Sequence, residues 1–135
     1  MASRMRLTVV STVLNEADSL PRLLEGLAAQ TRPPDEVVVC DGGSSDGTLS
    51  ILQAEARLPL RAISRPGLNI SQGRNAAIEA ATGDVIAVTD AGVRLSPQWL
   101  EQIAAPFVDD ATAAVAGFFR PDPTSVFETA MSATV

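Results

Sequence analysis

Short runs of β-branched residues alternate with helix-like segments along this chain. Runs rich in Val, Ile and Thr favour strands, and leucines spaced three and four apart favour amphipathic helices. The alternation predicts βαβ units, and therefore an α/β fold with a Rossmann-like, mostly parallel sheet, helices on both faces and right-handed crossovers. The predicted strands cover residues 7–14, 36–40, 59–64, 84–89 and 112–119. The predicted helices cover approximately residues 19–30, 48–56, 70–81 and 96–106.

Polar residues in front of these helices are the candidate N-caps, since a side-chain oxygen there accepts a hydrogen bond from a free backbone N–H. Asp18 or Ser19 is the candidate for the first helix. Ser45 or Asp46 is the candidate for the second helix, and Ser96 for the last.

The chain is long enough, and apolar enough, to form one domain over residues 1–135. It has 135 residues, of which 46% are hydrophobic, and it contains no low-complexity tract or internal repeat. No stretch approaches the ~18 apolar residues of a membrane span, and the first residues lack the apolar block of a signal peptide. The expected location is therefore cytoplasmic.

Missing residue types exclude several kinds of chemistry. The sequence has no His, no Lys and no Tyr, and all ten of its cations are Arg. A Ser-His-Asp triad, a lysine Schiff base and a Walker-type phosphate loop are therefore impossible within this chain. The single Cys40 excludes an internal disulfide and a cysteine-rich zinc site, so any metal must bind oxygen ligands, which favours Mg²⁺ or Mn²⁺. The net charge of −6 argues against a nucleic acid partner.

Two acidic residues end two of the predicted strands. Asp41 follows the second strand and Asp90 follows the fourth. In open α/β sheets, ligands bind beyond the carboxyl ends of parallel strands. The packing of the strands does not require an acidic residue at either position. The pair therefore indicates a polar ligand, together with a metal ion.

The residues near Asp41 allow both a binding role and a purely structural one. Its carboxylate can accept a hydrogen bond from a base N–H or a ribose hydroxyl, and Gly42 with Gly43 lets a ligand approach the backbone closely. Asp, Gly and Ser are also common turn residues, so the whole loop can be turn chemistry. Asn15 and Glu16 after the first strand have the same two interpretations, a turn with a solvated charge or a binding role at this edge.

Arg74 and Asp90 are the candidates for contacts with a diphosphate. Arg74 lies in the first turns of a helix of short side chains, where its guanidinium and the helix N-terminus both favour phosphate oxygens; the alternative is an exposed helix arginine. Arg65 is a second candidate. Asp90 can hold a divalent cation that bridges a diphosphate; the alternative is an acid that caps or solvates its loop.

Four motifs together resemble those of family 2 glycosyltransferases with the GT-A fold. They are the strand that ends in Asn15-Glu16, the segment from Glu36 to Asp41 with Gly-Gly-Ser-Ser-Asp-Gly-Thr after it, the Gly-Arg-Asn-Ala run at residues 73–76, and the segment from Thr82-Gly83 to Gly92. They occur in the family's order, and the resemblance covers roughly residues 7 to 107.

The resemblance implies a nucleoside diphosphate sugar as donor and inverting transfer to an acceptor that the sequence does not identify. The strand-one end and Asp41 would hold the base and ribose, Arg74 would contact the diphosphate, and Asp90 would bind a divalent cation, Mg²⁺ or Mn²⁺. The implied binding residues are Thr12, Leu14, Glu16, Asp41, Arg74 and Asp90, and the implied metal ligand is Asp90. No catalytic residue is assigned.

This chain departs from the family pattern in three respects. Gly92 replaces the second acid of the Asp-x-Asp metal motif, and Gly42 stands where many relatives have a second Asp. The chain is also about half the usual length, so we expect a truncated GT-A domain whose acceptor-binding half and catalytic base lie beyond Val135. Within the given sequence, Asp122 and Glu128 are the only acids late enough to be considered as that base, and neither is assigned to the role.

Two other functions compete with a glycosyltransferase or its donor-binding fragment. One is a non-catalytic module that binds a nucleotide, or that self-associates as a homo-oligomer, through the face that the missing half would cover. The other is a nucleotidyltransferase, against which the Asn15-Glu16 start argues, because such enzymes usually place a Gly-rich phosphate loop there.

Overall fold

The computed structural model describes residues 5–108, and these form an α/β layer structure around a parallel sheet. The sheet has four strands in the order β3-β2-β1-β4. In chain order the elements are β1 (Leu7–Val13), α1 (Leu20–Ala28), β2 (Glu36–Asp41), α2 (Thr48–Ala54), β3 (Leu60–Ser64), α3 (Ile70–Ala80), β4 (Val85–Val88), α4 (Trp99–Ala104) and a 3₁₀ turn (Ala105–Val108). The predicted fold class is confirmed. The predicted strand at 112–119, Asp122 and Glu128 lie outside the described residues.

The strand order reverses at β1, which makes the β1–β4 junction the topological switch point of the sheet. The chain runs outward from β1 through β2 to β3 and then returns across the sheet to pair β4 with the other side of β1. Helices diverge from the carboxyl edge at such a point and leave a crevice there. The topology therefore makes the ends of β1 and β4 the expected place for a ligand crevice.

Alternate residues of the strands pack on opposite faces of the sheet, because successive side chains in a strand point to opposite sides. One face places Leu7, Val9 and Val13 against α1, α2 and α4. The other face places Val10 with Val38 and Cys40 beneath α3. The larger core is on the first face, where α1 contributes four fully or nearly fully buried leucines, Leu20, Leu23, Leu24 and Leu27.

Helix α4 begins at Trp99, two residues later than the position that the predicted Ser96-Pro97 start requires. The reason is a contact with Gln30, which lies far away in sequence. The buried Gln30 side chain accepts a hydrogen bond from the N–H of Leu100 at 2.9 Å and donates one to the carbonyl of Ser96 at 2.8 Å. A side chain from the end of α1 thus caps α4, and Ser96 is not its cap.

The other two predicted caps are confirmed only in part. Ser19 is the N-cap residue of α1 but accepts no capping bond, since its hydroxyl donates to Oε2 of Glu16 at 2.7 Å. Gly47 is the N-cap residue of α2, although Asp46 accepts a hydrogen bond from the Thr48 N–H at 2.9 Å. Within residues 5–108, no helix has the length and apolar character needed to cross a membrane.

Candidate functional site

The loops after β1, β2 and β3 are joined by backbone hydrogen bonds at the carboxyl edge of the sheet. The Gly42 N–H donates to the Val13 carbonyl at 2.9 Å, and the Gly67 N–H donates to the Gly42 carbonyl at 3.1 Å. The Arg65 N–H donates to the Asp41 carbonyl at 2.8 Å. Because three consecutive loops share these bonds, the edge is a connected platform and not a set of independent turns.

Gly43 allows this close approach of the loops. Its φ is +106°, and a Cβ atom there would lie 3.3 Å from Cα of Pro66. An L side chain would therefore be strained by both the backbone conformation and the neighbouring loop.

Asp41 is almost completely buried, with 2% of its surface exposed. Its Oδ2 accepts hydrogen bonds from the N–H groups of Gly43 and Ser44, each at 3.1 Å, and its Oδ1 accepts one from the Ser44 hydroxyl. The carboxylate therefore organises its own loop, which is the turn role that the sequence allowed. A nucleotide contact through its remaining lone pairs stays a prediction.

Asn15 and Glu16 connect the end of β1 to the loop after β2. Asn15 has a left-handed φ of 53°, and its Oδ1 accepts hydrogen bonds from the N–H groups of Ser45 and Asp46 at 2.8 and 3.3 Å. The Glu16 N–H donates to the Thr48 hydroxyl at 2.9 Å. The structural interpretation of Asn15 thus has direct support, while the half-buried Glu16 carboxylate faces the start of α1 through its bond with Ser19.

Asp46 is a site residue whose full role the sequence did not indicate. In addition to the Thr48 bonds, its Oδ2 accepts a hydrogen bond from the Ala17 N–H at 3.2 Å. The hydrogen bonds from the Thr48 hydroxyl and amide lower the pKa of Asp46. Asp46 therefore stays ionised at neutral pH and joins the loops after β1 and β2.

Thr12 and Leu14 occupy different environments at the end of β1. Thr12 is half-buried beneath α3, where its Cγ2 would lie 3.0 Å from a Cβ atom at Gly73. Leu14 leaves 54% of its surface exposed and lies beside Gly42. An exposed leucine on the platform is an apolar contact available to a ligand.

Arg74 lies in the second turn of α3, whose N-terminus is at the carboxyl edge because the helix follows β3. A capping box between Asn69 and Gln72 fixes this end of the helix. The Arg74 side chain is half-buried, and it makes no hydrogen bond or ion pair with any residue of the segment 5–108. Its guanidinium therefore remains available to an anion near the helix N-terminus.

Asp90 is exposed two residues beyond the last residue of β4. Its carbonyl accepts a hydrogen bond from the Val93 N–H at 3.2 Å, and its carboxylate has no partner among residues 5–108. No group of three or more His, Cys, Asp or Glu residues in this described segment is arranged to hold a metal ion. A cation at Asp90 would thus depend on one protein carboxylate, with ligand and water oxygens completing its coordination.

The predicted site residues all belong to the carboxyl edge, on both sides of β1. Asp41 ends β2 on one side, Asp90 follows β4 on the other, and β1 carries Thr12 between them. At a strand spacing of ~4.8 Å, β2 and β4 are roughly 10 Å apart. Arg74 lies on the helix that packs on β1 through Gly73. The edge thus offers an apolar and hydrogen-bonding region beside β2, the Asp90 carboxylate beyond β4, and Arg74 on the helix that packs over β1 and β2.

Comparison with known proteins identifies the family to which this chain belongs. The sequence profile described as Glycosyl transferase family 2 matches residues 8–133, nearly the whole chain. The chain belongs to glycosyl transferase family 2. Its structure is similar to that of TarS 1–349 of S. aureus in complex with UDP-GlcNAc, with a TM-score of 0.69, 29% identity, and coverage of 78% of this chain and 32% of TarS 1–349.

Further family 2 relatives have different substrates. Mannosyltransferase PcManGT from Pyrobaculum calidifontis, in complex with GDP-Man and Mn²⁺, has a TM-score of 0.61 and 32% identity over 67% of this chain and 28% of that one. The undecaprenyl-phosphate 4-deoxy-4-formamido-L-arabinose transferase of Serratia proteamaculans (strain 568) is 33% identical over 73% of this chain and 32% of its own length. The validoxylamine A glucosyltransferase of Streptomyces hygroscopicus subsp. limoneus is 33% identical over 81% of this chain. The chain spans a quarter to a third of the length of these two curated relatives.

Proposed function

We propose that this domain binds a nucleoside diphosphate sugar and serves as the donor-binding part of an inverting glycosyltransferase. The observation that carries the proposal is the pair Arg74 and Asp90. Asp90 follows β4 beside the switch point, Arg74 lies on the helix that packs on β1 and β2, and both have charged groups without a hydrogen-bond or ion-pair partner in residues 5–108. Charged side chains at a crevice are suited to a charged ligand, here the diphosphate and its counterion.

The two sides of the platform would bind chemically different parts of the donor. The base and ribose would lie at the β1–β2 side, near Thr12, Leu14, Glu16 and Asp41, where an exposed apolar group and hydrogen-bonding groups meet. The diphosphate would extend toward β4, with Arg74 as its phosphate ligand. The UDP-GlcNAc bound by TarS and the GDP-Man bound by PcManGT support this donor class for a chain of the same family.

Asp90 is the residue of this chain that would hold a divalent cation. An exposed carboxylate is a suitable ligand for Mg²⁺ or Mn²⁺, and the PcManGT complex contains both GDP-Man and Mn²⁺. The cation would neutralise negative charge on the leaving diphosphate. Arg74 would supply the second positive group at the same diphosphate and orient the donor.

Inverting transfer also requires a carboxylate that accepts the proton of the acceptor hydroxyl as its oxygen attacks the sugar carbon. We place that base on the acceptor-binding side of the protein and assign it to no residue of the segment 5–108. The donor-binding platform would then hold the nucleoside diphosphate as leaving group while the acceptor part delivers the nucleophile.

Isothermal titration of the chain with UDP, GDP and dTDP, each with and without Mn²⁺, tests the proposal. We expect measurable binding of at least one nucleotide, with higher affinity in the presence of the metal. Absence of heat with all three, for a chain that is folded by circular dichroism, would contradict it.

A nucleotide-binding or self-associating module without transfer is the second candidate. Within residues 5–108, β4 is an outer strand of the sheet, and its Val88 has 44% of its surface exposed; an open strand edge is available for association. Light scattering of the chain distinguishes the two, since a module of this kind would form dimers or larger species and a donor-binding fragment would stay monomeric.

A further inference from the structure

Ser44 lies between the end of β1 and the carboxylate of Asp41, and it is hydrogen-bonded to both. Its hydroxyl accepts a hydrogen bond from the Asn15 N–H at 2.8 Å and donates one to Oδ1 of Asp41. Its own N–H donates to Oδ2 of Asp41 at 3.1 Å. Because Asp41 ends β2 opposite Val13 of β1, this one residue joins the two strand ends where the base and ribose are expected.

The direction of these hydrogen bonds follows from the chemistry of the groups. A backbone N–H can only donate, and a carboxylate can only accept. The serine hydroxyl has one proton and two lone pairs, so it must accept from Asn15 and give its proton to Asp41. Each bond polarises the next one and strengthens it. The hydroxyl is therefore held in one orientation from both sides.

The carboxylate of Asp41 has little capacity left for a further contact. A carboxylate has about four acceptor positions. Oδ2 uses two of them for the N–H groups of Gly43 and Ser44, and Oδ1 uses one for the Ser44 hydroxyl. Since 2% of the Asp41 surface is exposed, a ligand can reach the carboxylate only over a narrow range of orientations. Within residues 5–108, the Ser44 hydroxyl is the donor to Oδ1, so it sets the direction of the acceptor position that remains.

Other hydrogen bonds also join the loops after β1 and β2, but none of those in residues 5–108 contacts the Asp41 carboxylate. Oδ1 of Asn15 accepts hydrogen bonds from the N–H groups of Ser45 and Asp46. These bonds do not involve the Ser44 hydroxyl, so they hold the two loops together when it is removed. Loss of the hydroxyl should therefore release the Asp41 carboxylate and the Asn15 amide while the loops stay in place.

We propose that Ser44 is a positioning residue, which holds the Asp41 carboxylate and residues 14–16 at the spacing that a bound nucleoside requires. This inference rests on the proposed function, because it takes the base and ribose to lie beside the ends of β1 and β2. Ser44 acts through Asp41 and not through a contact of its own with the ligand. A carboxylate that is free to rotate must be ordered when the ligand binds, and this ordering reduces the affinity.

Amide exchange measured by NMR tests the positioning without a ligand. In the full chain, Ser44→Ala should accelerate exchange of the Asn15 amide by about three- to ten-fold, the range expected for one lost hydrogen bond. Ser44→Thr, which keeps the hydroxyl, should remain within about twofold of wild type. Ser45→Ala is the matched control, because it removes a hydroxyl of the same loop whose bond to Oδ1 of Asn15 is long, at 3.4 Å. Unchanged exchange of the Asn15 amide in Ser44→Ala would overturn the proposal, as would acceleration spread evenly over the sheet.

Nucleotide titration tests the link to the donor. Ser44→Ala should lower the affinity for the best-bound of UDP, GDP and dTDP by about five- to ten-fold. Ser44→Thr should restore most of this loss, and Ser45→Ala should change the affinity by less than about twofold. The gain in affinity that Mn²⁺ produces should be the same in Ser44→Ala and wild type, because the cation is expected at Asp90.

Equal nucleotide affinities for Ser44→Ala and wild type would overturn the proposal, and so would a loss that Ser44→Thr does not restore. If the wild-type chain binds none of the three nucleotides, the proposed function fails. The exchange rate of the Asn15 amide then still shows whether Ser44 fixes the ends of β1 and β2 relative to each other.

Discussion

A Cβ atom on Gly73 would lie 3.0 Å from Cγ2 of Thr12, so helix α3 packs on β1 through a glycine-to-methyl contact. The next residue along α3 is Arg74. The height of the arginine above the sheet is therefore set by the absence of a side chain at position 73.

Gly73→Ala should lower the affinity for nucleotide by more, in free energy, than it lowers the free energy of unfolding. The added methyl group must displace α3 or Thr12, at a cost of ~1–3 kcal/mol, while the gain in helix propensity returns up to ~1 kcal/mol. Urea denaturation and nucleotide titration measure the two effects. Gly47→Ala is the control, since a Cβ there has no neighbour within 4 Å. Removing Cγ2 in the double variant Gly73→Ala/Thr12→Ser should restore stability; no recovery would show that the methyl contact is not the cause.

Arg74→Ala should lower the affinity for the best-bound nucleoside diphosphate by about 10- to 100-fold, which corresponds to ~1.5–3 kcal/mol for a charge-assisted hydrogen bond. The free energy of unfolding should change by less than ~0.5 kcal/mol, because no residue of the described segment pairs with this side chain. Titration calorimetry and urea denaturation give the two values. Equal affinities for the variant and wild type would remove Arg74 from the site, and Arg57→Ala controls for the loss of one positive charge.

Asp90→Asn should abolish most of the gain in nucleotide affinity that Mn²⁺ produces. The carboxylate is the acid near the diphosphate region, and an amide is a much poorer ligand for a hard cation. Without metal, the affinity of the variant should equal or exceed that of wild type, since a negative group that repels the diphosphate is lost. Titrations with and without Mn²⁺ provide both comparisons. A metal response equal to that of wild type would place the cation elsewhere.

Glu36→Gln should make stability less dependent on pH below about pH 5. Burial raises the pKa of Glu36, but hydrogen bonds from Thr82 and Thr8 and the charge of Arg61 outweigh it, so the folded-state pKa is lowered. A lowered carboxyl pKa contributes stability above the unfolded-state value near 4.5, and this contribution is lost as the pH falls through the folded-state pKa.

Urea denaturation from pH 7 to pH 3 measures this contribution. Wild type should lose stability toward the acid end more steeply than Glu36→Gln, and the variant should be less stable by about 1–2 kcal/mol at pH 7. Glu79→Gln, a change to an exposed acid on α3, is the control. Parallel pH profiles for Glu36→Gln and wild type would contradict the assignment.

The order and type of the strands and helices in residues 5–108 could be predicted from the sequence alone. Strands such as Glu36–Asp41 are continuous β-branched runs, and helix α1 has leucines on a single face, so local periodicity decides both. Chain order and the rule for parallel sheets then placed Asp41, Arg74 and Asp90 at one edge. These inferences need only short-range patterns and general topology.

The structure supplied what depends on contacts distant in sequence. Asn15 contacts Ser45, which lies 30 residues away, and Gln30 caps α4 from 70 residues away. A polar residue near a turn has the same local pattern whether it binds its own loop or a ligand. The inward orientation of Asp41 and the role of Gln30 therefore could not be derived from composition or spacing.

The central position of β1 has a consequence for synthesis of the protein. This strand leaves the ribosome well before β4, which is one of its two partners and begins only at Val85. Until that later stretch is made, one edge of a strongly apolar strand has no native neighbour. A nascent chain in this state is prone to aggregate and is a natural client for chaperones.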